Sequence, residues 1–582
     1  MTDTTQTFEE RPTRALLPVP RLRRPNTEQV TLVLLALLVA AVSLGPLLRL
    51  IWAALMPDGA FDTARLKELL WSRRVLEAIW NTVYISLSAT VLAVVVGTAA
   101  ALLVGLTDMR FRTAFVFGFV LPLMIPPQVT ALAWIQSFSP ASPILGALGL
   151  SLEGGMRHPL YSAAGIILLL GLYNAPLVFL TVRASLRRLP GELIEAGRAA
   201  GGRPFRLLLE IVLPLLRAGI FAGAALAFVS SIGNFGIQAM LGIPARVHTM
   251  ITLIYRRLNA YGPSALNDMA LLAVVLAVLT IAGVALAGWL GSRGDQRVSG
   301  AARSVRLPLG RWRRPAQAAA WSYLVLTLAL PLSALVGSSL VSGYGQALTL
   351  ETLTFAHYRN ALFEHGAIRE AFVTSLGLTV AAVIVLMLVS VVLGYYLSWR
   401  RGRLARLLSL SSELTYALPG IVIGVAMILF FLRPLPLIDV SLYGTVWIIL
   451  IAYMSNFLVL SLRPTLGGFA QLDRNCDEAA QVAGAGFLRR MASIVFPMVL
   501  PAAAAGGVIV FMTALNEIQA SVLLVSSKAQ TIGPMIIFLE EAGSSTLAAA
   551  VGCLMILAVL FLMLASSVFA KRLPAGILPW RD

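Results

Sequence analysis

The chain has 582 residues, of which 58% are hydrophobic, and it carries a formal net charge of +18 at a mean hydropathy of +0.85. This composition excludes an ordinary soluble globular protein. The charge would indicate a nucleic-acid partner in a soluble chain, but here it accompanies long apolar runs. We therefore predict a lipid bilayer, and no nucleic acid, as its partner.

The apolar runs predict an all-α polytopic membrane protein. Each run has eighteen or more residues, enough to cross about 30 Å of hydrocarbon. Helices are expected because lipid offers unpaired backbone groups no partner, and the alternation typical of barrel strands is absent. About twelve transmembrane helices are predicted, at 31–55, 80–106, 113–137, 159–182, 211–241, 268–291, 319–340, 372–397, 407–432, 443–462, 494–526 and 546–570.

The distribution of basic residues predicts the orientation. With twelve spans and both termini inside, 13 of the 45 Lys and Arg residues fall in outer segments, so 45 − 13 = 32 lie on the inner side. The positive-inside rule then predicts cytoplasmic N- and C-termini, although the first outer loop is itself basic. Residues 1–30 are predicted to be a cytoplasmic tail without a cleavable signal, and 292–318 a basic cytoplasmic linker. Cys476 and Cys553 predict no disulfide framework.

Taken in order, the spans form two tandem six-helix repeats, at 31–291 and 319–582. Asn81-Thr82 in the first half corresponds to Thr374-Ser375 in the second. Pro126 of the third span corresponds to Pro419, and both offsets are 293. Each proline is expected to kink or interrupt its span. Copies of the same orientation are related by an axis along the membrane normal.

The most specific feature is a motif that occurs once in each half. Both copies have a short Ala-rich helix that ends at a Gly, then nine residues, then a run that ends in Pro. Corresponding positions lie 283 residues apart, since 478 − 195 and 484 − 201 both give 283. The matched positions of the pattern are Glu195, Ala196, Gly197 and Gly201 in the first copy, and Glu478, Ala479, Ala480 and Gly484 in the second. The final Gly suits a left-handed C′ residue, and the small side chains suit a docking surface.

This motif resembles the EAA signature of permease subunits of bacterial ABC importers. The resemblance implies the type I ABC importer permease fold and a bacterial inner-membrane location. In that family the motif forms a coupling helix that binds a cleft of the ATPase subunit. Two copies in one chain imply one chain per ATPase dimer, with a periplasmic solute-binding protein as the other partner. The first copy departs from the family pattern at Gly197, which is expected to loosen that helical turn.

The chain is predicted to bind no nucleotide and no other cofactor. A P-loop requires Gly before its Lys, but the lysines Lys67, Lys528 and Lys571 follow Leu, Ser and Ala. The protein is therefore predicted not to be an enzyme, and ATP with its Mg²⁺ is expected on the partner ATPase. The simpler interpretation of Glu195 and Glu478, as solvated carboxylates at helix starts, is disfavoured by their duplication.

The cargo is addressed only by resemblance. The stretches 515–524, 530–533 and 538–543 are similar to the ferric-iron branch of these permeases. Thiamine, phosphonate and polyamine permeases share much of this pattern and stay open as alternatives.

Four residues are candidates for the translocation path. Glu517 is an intramembrane carboxylate, and such groups usually face a cavity. Asn234 occupies its position in the first half, since 517 − 234 = 283. Pro126 and Pro419 are candidate gate kinks. A buried carboxylate tied to backbone at a broken helix is an equally good interpretation of Glu517, and tolerated prolines are the alternative for the kinks.

No metal site is predicted. The four histidines, His158, His248, His357 and His365, fall in predicted outer loops at spacings that match no ligand pattern, so they are interpreted as polar loop residues. Two other functions remain as rivals. An ion-coupled secondary transporter would need paired intramembrane acids. The other rival is a membrane scaffold or a lipid-modifying enzyme, and no His/Asp/Ser constellation in the spans supports catalysis.

Overall fold

The computed structural model describes residues 26–57, 59, 61–140, 142–147, 158–258, 265–292, 307–434 and 439–569. Most of the predicted N-terminal tail, residues 293–306 of the predicted linker and the chain from 570 onward lie outside the described residues.

The described part of the first half is built of helices, whose internal hydrogen bonds satisfy the backbone of the apolar runs. They are α1 (Thr27–Leu55), α2 (Thr63–Leu70), α3 (Arg73–Leu106), α4 (Arg112–Met124), α5 (Pro127–Phe138), α6 (Pro143–Ala147), α7 (Ala163–Leu186), α8 (Gly191–Ala199), α9 (Pro204–Leu215), α10 (Arg217–Gly233), α11 (Phe235–Ala245), α12 (Met250–Leu258) and α13 (Ala265–Ser292).

The second half follows the same order with two fewer helices among its described residues. Its elements are α14 (Gly310–Ser339), α15 (Ala356–Arg359), α16 (Gly366–Arg400), α17 (Arg403–Ala417), α18 (Gly420–Phe431), α19 (Val446–Phe469), α20 (Asn475–Val482), α21 (Phe487–Leu515), α22 (Ser521–Leu524), α23 (Ile532–Glu541) and α24 (Ser545–Phe569).

The prediction of an all-α polytopic protein is confirmed. Nine helices of the described chain are long and apolar enough to cross a membrane, and four more pairs reach that length together across a bend. Twelve of these thirteen units match the predicted spans. The thirteenth is the pair α11 and α12, bent by 81°, which the prediction divided between span five and an outer loop.

Two predicted spans were too long at their C-terminal ends. The predicted helix 211–241 ends at Gly233, and the predicted helix 494–526 ends at Leu515. Asn234 follows the first of these with an extended backbone, and Glu517 follows the second after one irregular residue. The apolar sequence continues past Asn234 and Glu517 into the next helices. The ends of these two spans therefore could not be located from hydropathy.

The prolines interrupt their spans. Helices α4 and α5 meet at 105° and α17 and α18 at 114°. Pro126 and Pro419 are the N-cap residues of the second helix of each pair, and both have the backbone angles φ −56° and ψ 139°. Proline disfavours a helical conformation in the residue before it, and Ile125 and Leu418 are accordingly extended.

The first span of each half packs against the other half. The C-terminal part of α1 lies along α18, where a Cβ added to Gly45 would be 3.0 Å from the Phe430 ring. The C-terminal part of α14 lies along α5, where Ser338 Oγ donates to Gln136 Oε1 at 2.7 Å. One apolar core therefore extends through both halves.

The chain before α14 is fixed to the turn after α3. The Leu307 amide donates to the Leu106 carbonyl at 2.7 Å, and the Leu309 amide donates to Asp108 Oδ1 at 3.0 Å. This amide, together with Arg313 at 3.4 Å, lowers the pKa of Asp108 below its ordinary value.

Candidate docking surface and helix breaks

Helices α8 and α20 carry the two copies of the repeated motif, and we call them the first and second docking helices. Both end in the same cap. Gly201 and Gly484 take the left-handed conformation at φ +79° and +82°. The next amide donates back to Gly197 O at 2.9 Å in the first helix and to Ala480 O at 3.0 Å in the second. This is the Schellman arrangement, and a side chain at either glycine would be strained.

The two docking helices lie on one face of the molecule. Ile194 of the first shares an apolar cluster with Leu106 and Met109 at the end of α3. Asp477 of the second lies 3.4 Å from Tyr395 near the end of α16. The ends of α3 and α16 correspond in the two repeats, so the chain returns to the same side before each docking helix.

Gly197 has a packing role that differs from the expected loosening of the helix. A Cβ at this position would lie 2.6 Å from Leu207 Cδ2 and 2.8 Å from Ile211 Cδ1. The first docking helix therefore packs closely on the following segment at Gly197, and a side chain there would make the ends of the Leu207 and Ile211 side chains move.

The exposed surfaces of both helices include small and apolar side chains. The motif residues Glu195, Ala196, Gly201, Glu478, Ala479 and Gly484 are exposed, and Gly197 and Ala480 are partly exposed. Val482 is 90% exposed, and the corresponding residues Phe205 and Leu488 are 70% and 64% exposed. Exposed apolar groups grouped with a carboxylate are typical of a surface that binds another protein.

The two motif carboxylates differ in their surroundings. Glu478 Oε1 lies 2.8 Å from Arg474 Nε, one helical turn earlier. No ion pair of Glu195 is found within the described part of the chain. Glu195 therefore keeps its charge available to a partner, whereas Glu478 must share its charge with Arg474.

At the opposite ends of the following spans, Asn234 and Glu517 cap the helices that restart there. Asn234 Oδ1 accepts from the Ile237 amide at 3.0 Å. Glu517 Oε1 accepts from the Ala520 amide, and Glu517 Oε2 accepts from the Ser521 amide at 3.1 Å. Since 237 + 283 = 520, the first of these bonds recurs at the same position in the second half. Both oxygens of Glu517 are thus bound to backbone at a broken helix, as the second of its two interpretations expects.

The helix breaks of each half fit together through one glycine and one glutamine. In the first half, a Cβ on Gly236 would lie 2.7 Å from the Gln128 backbone nitrogen. In the second half the arrangement is reversed: a Cβ on Gly420 would lie 2.7 Å from Gln519 Cβ, and the Gly420 amide donates to Gln519 Oε1 at 2.9 Å. The breaks after Pro126 and Pro419 are therefore packed directly on the breaks at Asn234 and Glu517.

Gln128 is a buried side chain without a partner. It is fully buried, and neither its Oε1 nor its Nε2 has a hydrogen-bond partner among the described residues. Its Nε2 lies 3.6 Å from the Cβ position of Gly533, so this side chain reaches from the first half to the second. Nearby, Asn516 donates to the Met124 carbonyl at 3.2 Å while its Oδ1 lacks a partner. Unpaired amides are costly inside a protein, which makes this junction the best candidate for a polar path.

A hydroxyl residue near the start of span two in each repeat accepts a hydrogen bond from the first amide of α12 or α23. Thr82 Oγ1 accepts from the Met250 amide at 2.8 Å, and Ser375 Oγ accepts from the Ile532 amide at 2.9 Å. These amides are the first of α12 and α23 and have no acceptor within their own helices. The matched hydroxyls therefore fix the starts of α12 and α23 against the bundle.

Replacing Thr82 by Val, or Ser375 by Ala, is expected to lower the free energy of unfolding by about 1–3 kcal/mol, because a buried N–H loses its acceptor. The unfolding midpoint in detergent measures the effect. Thr280→Val is the matched control, since the buried Thr280 hydroxyl donates only to Leu276 O of its own helix. Equal midpoints for Thr82→Val and Thr280→Val would contradict this role.

The histidines do not come together. His158 contacts the Ile135 carbonyl, His357 contacts the Val341 carbonyl, and His248 contacts Arg256. Burial lowers the pKa of His158, which favours its neutral form. No group of three or more His, Cys, Asp or Glu residues that could hold a metal ion occurs in the described part of the chain.

Comparison with known proteins places the chain among transport proteins. Residues 89–300 and 390–576 each match the family described as "Binding-protein-dependent transport system inner membrane component". The chain is 26% identical over 558 residues to a probable ABC transporter permease protein, y4fN, of Sinorhizobium fredii, covering 94% of this chain and 96% of that protein.

Two further relatives are named for different cargoes. The chain is 25% identical over 530 residues to the ferric transport system permease protein FbpB of Actinobacillus pleuropneumoniae, covering 88% of this chain and 74% of that one. It is 28% identical over 191 residues to the molybdenum transport system permease protein ModB of Azotobacter vinelandii, covering 32% of this chain and 83% of that one.

Proposed function

The chain belongs to the family of binding-protein-dependent transport system inner membrane components, and from this premise we propose that it forms the membrane path of an ABC importer for ferric iron. It is a fused permease with two family domains and a multi-pass inner-membrane protein. We propose further that a separate ATPase dimer binds its two docking helices, that a periplasmic binding protein delivers the cargo, and that both termini are cytoplasmic.

The pair of docking helices is the observation that carries this proposal. Each presents an exposed glutamate and exposed apolar groups, and each is closed by a left-handed glycine. Such a helix suits a groove in a partner protein, with the glutamate paired to a cation there. The partner supplies ATP and Mg²⁺, because no lysine of this chain has the sequence context of a P-loop.

The mechanism follows from where these helices lie. ATP binding closes the ATPase dimer and draws the docking helices together. The halves then rotate relative to each other, and the packed breaks at Pro126, Pro419, Asn234 and Glu517 separate. Gln128 and Asn516 offer the cargo uncharged oxygen atoms at this junction, which favours weak contacts that let the cargo leave. In this arrangement Asn234 and Glu517 shape the path, and Gln128 and Asn516 line it.

The ion-coupled alternative finds less support. Asp477 and Glu517 are the buried carboxylates of the described chain. Asp477 is paired with Arg490 at 2.7 Å, and backbone amides occupy both oxygens of Glu517. Neither carboxylate is free to bind and release a coupling ion.

The proposal is tested by uptake into proteoliposomes that contain the chain together with the ATPase and binding protein of its host. We expect accumulation of ferric iron that requires all three proteins and ATP. Accumulation of thiamine, phosphonate, a polyamine or molybdate instead of iron would overturn the cargo and retain the class. Uptake driven by an ion gradient without the ATPase would overturn the class.

The proposed orientation makes a prediction for Cys476, an exposed residue of the second docking helix. A membrane-impermeant maleimide is expected to label it in inside-out vesicles and to leave it unlabelled in right-side-out vesicles. Bound ATPase is expected to protect it, since it lies on the second docking helix. The buried Cys553 serves as the internal control and is expected to stay unlabelled in both preparations. Labelling from the outside would reverse the orientation.

A further inference from the structure

The second docking helix is joined to the bundle by a buried ion pair. Arg490 Nη1 donates to both carboxylate oxygens of Asp477 at 2.7 Å. The two side chains are 4% and 5% exposed. Such a pair at the start of α21 fixes both the distance and the direction between the docking helix and the span that follows it.

The charges continue from this pair to the first span of the chain. Arg490 Nη2 lies 3.9 Å from Glu28 Oε2, and Arg400 Nε lies 2.6 Å from Glu28 Oε1. The Tyr396 hydroxyl donates to the Glu28 backbone carbonyl at 2.6 Å. We call Glu28, Arg400, Asp477 and Arg490 the charged clamp. Its two acids and two bases connect the start of α1, the end of α16, the second docking helix and the start of α21.

The first half has no such clamp at the same positions. Subtracting the offset of 283 from 477 and 490 gives Ile194 and Leu207, which are 1% and 4% exposed. Leu207 packs on Gly197 of the first docking helix. Apolar contacts of this kind are non-directional and allow the packed groups to slide, whereas charge-assisted hydrogen bonds from one nitrogen to both carboxylate oxygens hold the two side chains in place.

The clamp has a mechanical connection to the helix breaks. Helix α1 begins at the clamp and its C-terminal part packs along α18, which starts at the Pro419 break. A displacement of the second docking helix is therefore delivered to α18 by α1 as well as by the helices of its own half. At the matched positions of the described first half, Ile194 and Leu207 offer the first docking helix apolar contacts in place of the ion pair.

We propose that the charged clamp makes the second docking helix and the first span move as one body when the ATPase dimer closes, so that the two ATPase contacts act unequally. This inference rests on the proposed function. Glu28, Arg400, Asp477 and Arg490 are positioning residues in it: they touch neither the cargo nor ATP, and they determine which helices follow the ATPase.

The test replaces the ion pair by its counterparts from the first half, Ile194 and Leu207, in the double variant Asp477→Ile and Arg490→Leu. Glu28 and Arg400 keep each other as partners, and the net charge is unchanged. We expect the ATPase to co-purify as with the wild type, and the number of cargo ions transported per ATP hydrolysed to fall at least about fivefold. The control Arg73→Leu with Glu77→Ile removes an exposed pair on α3 and is expected to leave this ratio unchanged.

A distance measurement tests the clamp directly. Spin labels are placed at Val30→Cys on α1 and Gly486→Cys after the second docking helix, in a Cys476→Ser background. Val30 is 41% exposed and Gly486 has open space around it. The distance between the labels is expected to stay the same with and without ATP in the intact clamp, and to change on ATP binding in the double variant.

The outcomes separate the two proposals. A chain that binds no ATPase and transports nothing with it contradicts the proposed function. A chain that transports normally, while the double variant keeps the wild-type ratio, overturns the clamp and leaves the function standing. If the double variant does not fold, the label distance in the otherwise intact protein decides: a change on ATP binding overturns the clamp.

Discussion

Reversing both docking glutamates, with Glu195→Lys and Glu478→Lys, is expected to reduce ATP-driven uptake at least about a hundredfold. Each lysine would face a cation in the ATPase cleft, and a like-charge contact at an interface costs several kcal/mol. A factor of ten corresponds to about 1.4 kcal/mol, so two such contacts exceed the stated loss. The ATPase is expected to be lost during purification of the double variant.

The single variants separate the two contacts. Glu195→Lys is expected to have the larger effect, because no ion pair of Glu195 is found in the described chain, whereas Glu478 already shares its charge with Arg474. Glu77→Lys with Glu364→Lys makes the same change in net charge away from the docking helices and is expected to retain the ATPase. Normal ATPase binding and uptake by the docking double variant would contradict the coupling role.

A single methyl group at Gly236 is expected to abolish most transport. Its Cβ would lie 2.7 Å from the Gln128 nitrogen and 3.1 Å from the Gln128 Cα, and backbone atoms cannot rotate away. Gly236→Ala must therefore separate α11 from α5. Overpacking of this kind costs about 1–3 kcal/mol of stability. We expect uptake to fall at least about tenfold, because the junction beside Gln128 no longer closes.

Gly377→Ala provides the comparison for this prediction. Gly377 lies within α16, where an added Cβ meets no atom within 4 Å. Alanine is favoured over glycine in a helix by about 1 kcal/mol, so this variant is expected to unfold at the same or a higher temperature. Both unfolding midpoint and uptake are measured for each. Equal behaviour of the two alanine variants would show that the close approach at Gly236 has no functional weight.

The internal repeat made much of this architecture predictable. Two constant sequence offsets, 293 and 283, align Thr82 with Ser375, Pro126 with Pro419 and Asn234 with Glu517. Each pair occupies equivalent positions in the fold, and the first and last pairs make equivalent hydrogen bonds. The repeat was informative because residues at matched positions of the two copies must suit the same local geometry.

Features that differ between the halves could not be found this way. Gln128 is one polar residue in an apolar run, and its partner in the fold, Gly236, is distant in sequence. Asp477 and Arg490 lie in a loop rich in charged residues, where solvated side chains are the ordinary expectation, yet both are buried. Hydropathy also misjudged the ends of spans five and eleven, since apolar residues continue on both sides of each break.

The exchange of first spans between the halves has a consequence for synthesis. Helix α5 ends at Phe138, and the part of α14 that covers it begins at Leu330, so 330 − 138 = 192 residues separate them. At about 5–20 residues per second, ribosomes need roughly 10 to 40 s to deliver that cover. During this interval the Gln136 carboxamide of the nascent chain lacks Ser338, which donates a hydrogen bond to it in the folded protein. The incompletely synthesised protein is therefore exposed to membrane proteases for that time. Ribosome pausing within 139–329 would lengthen this exposure.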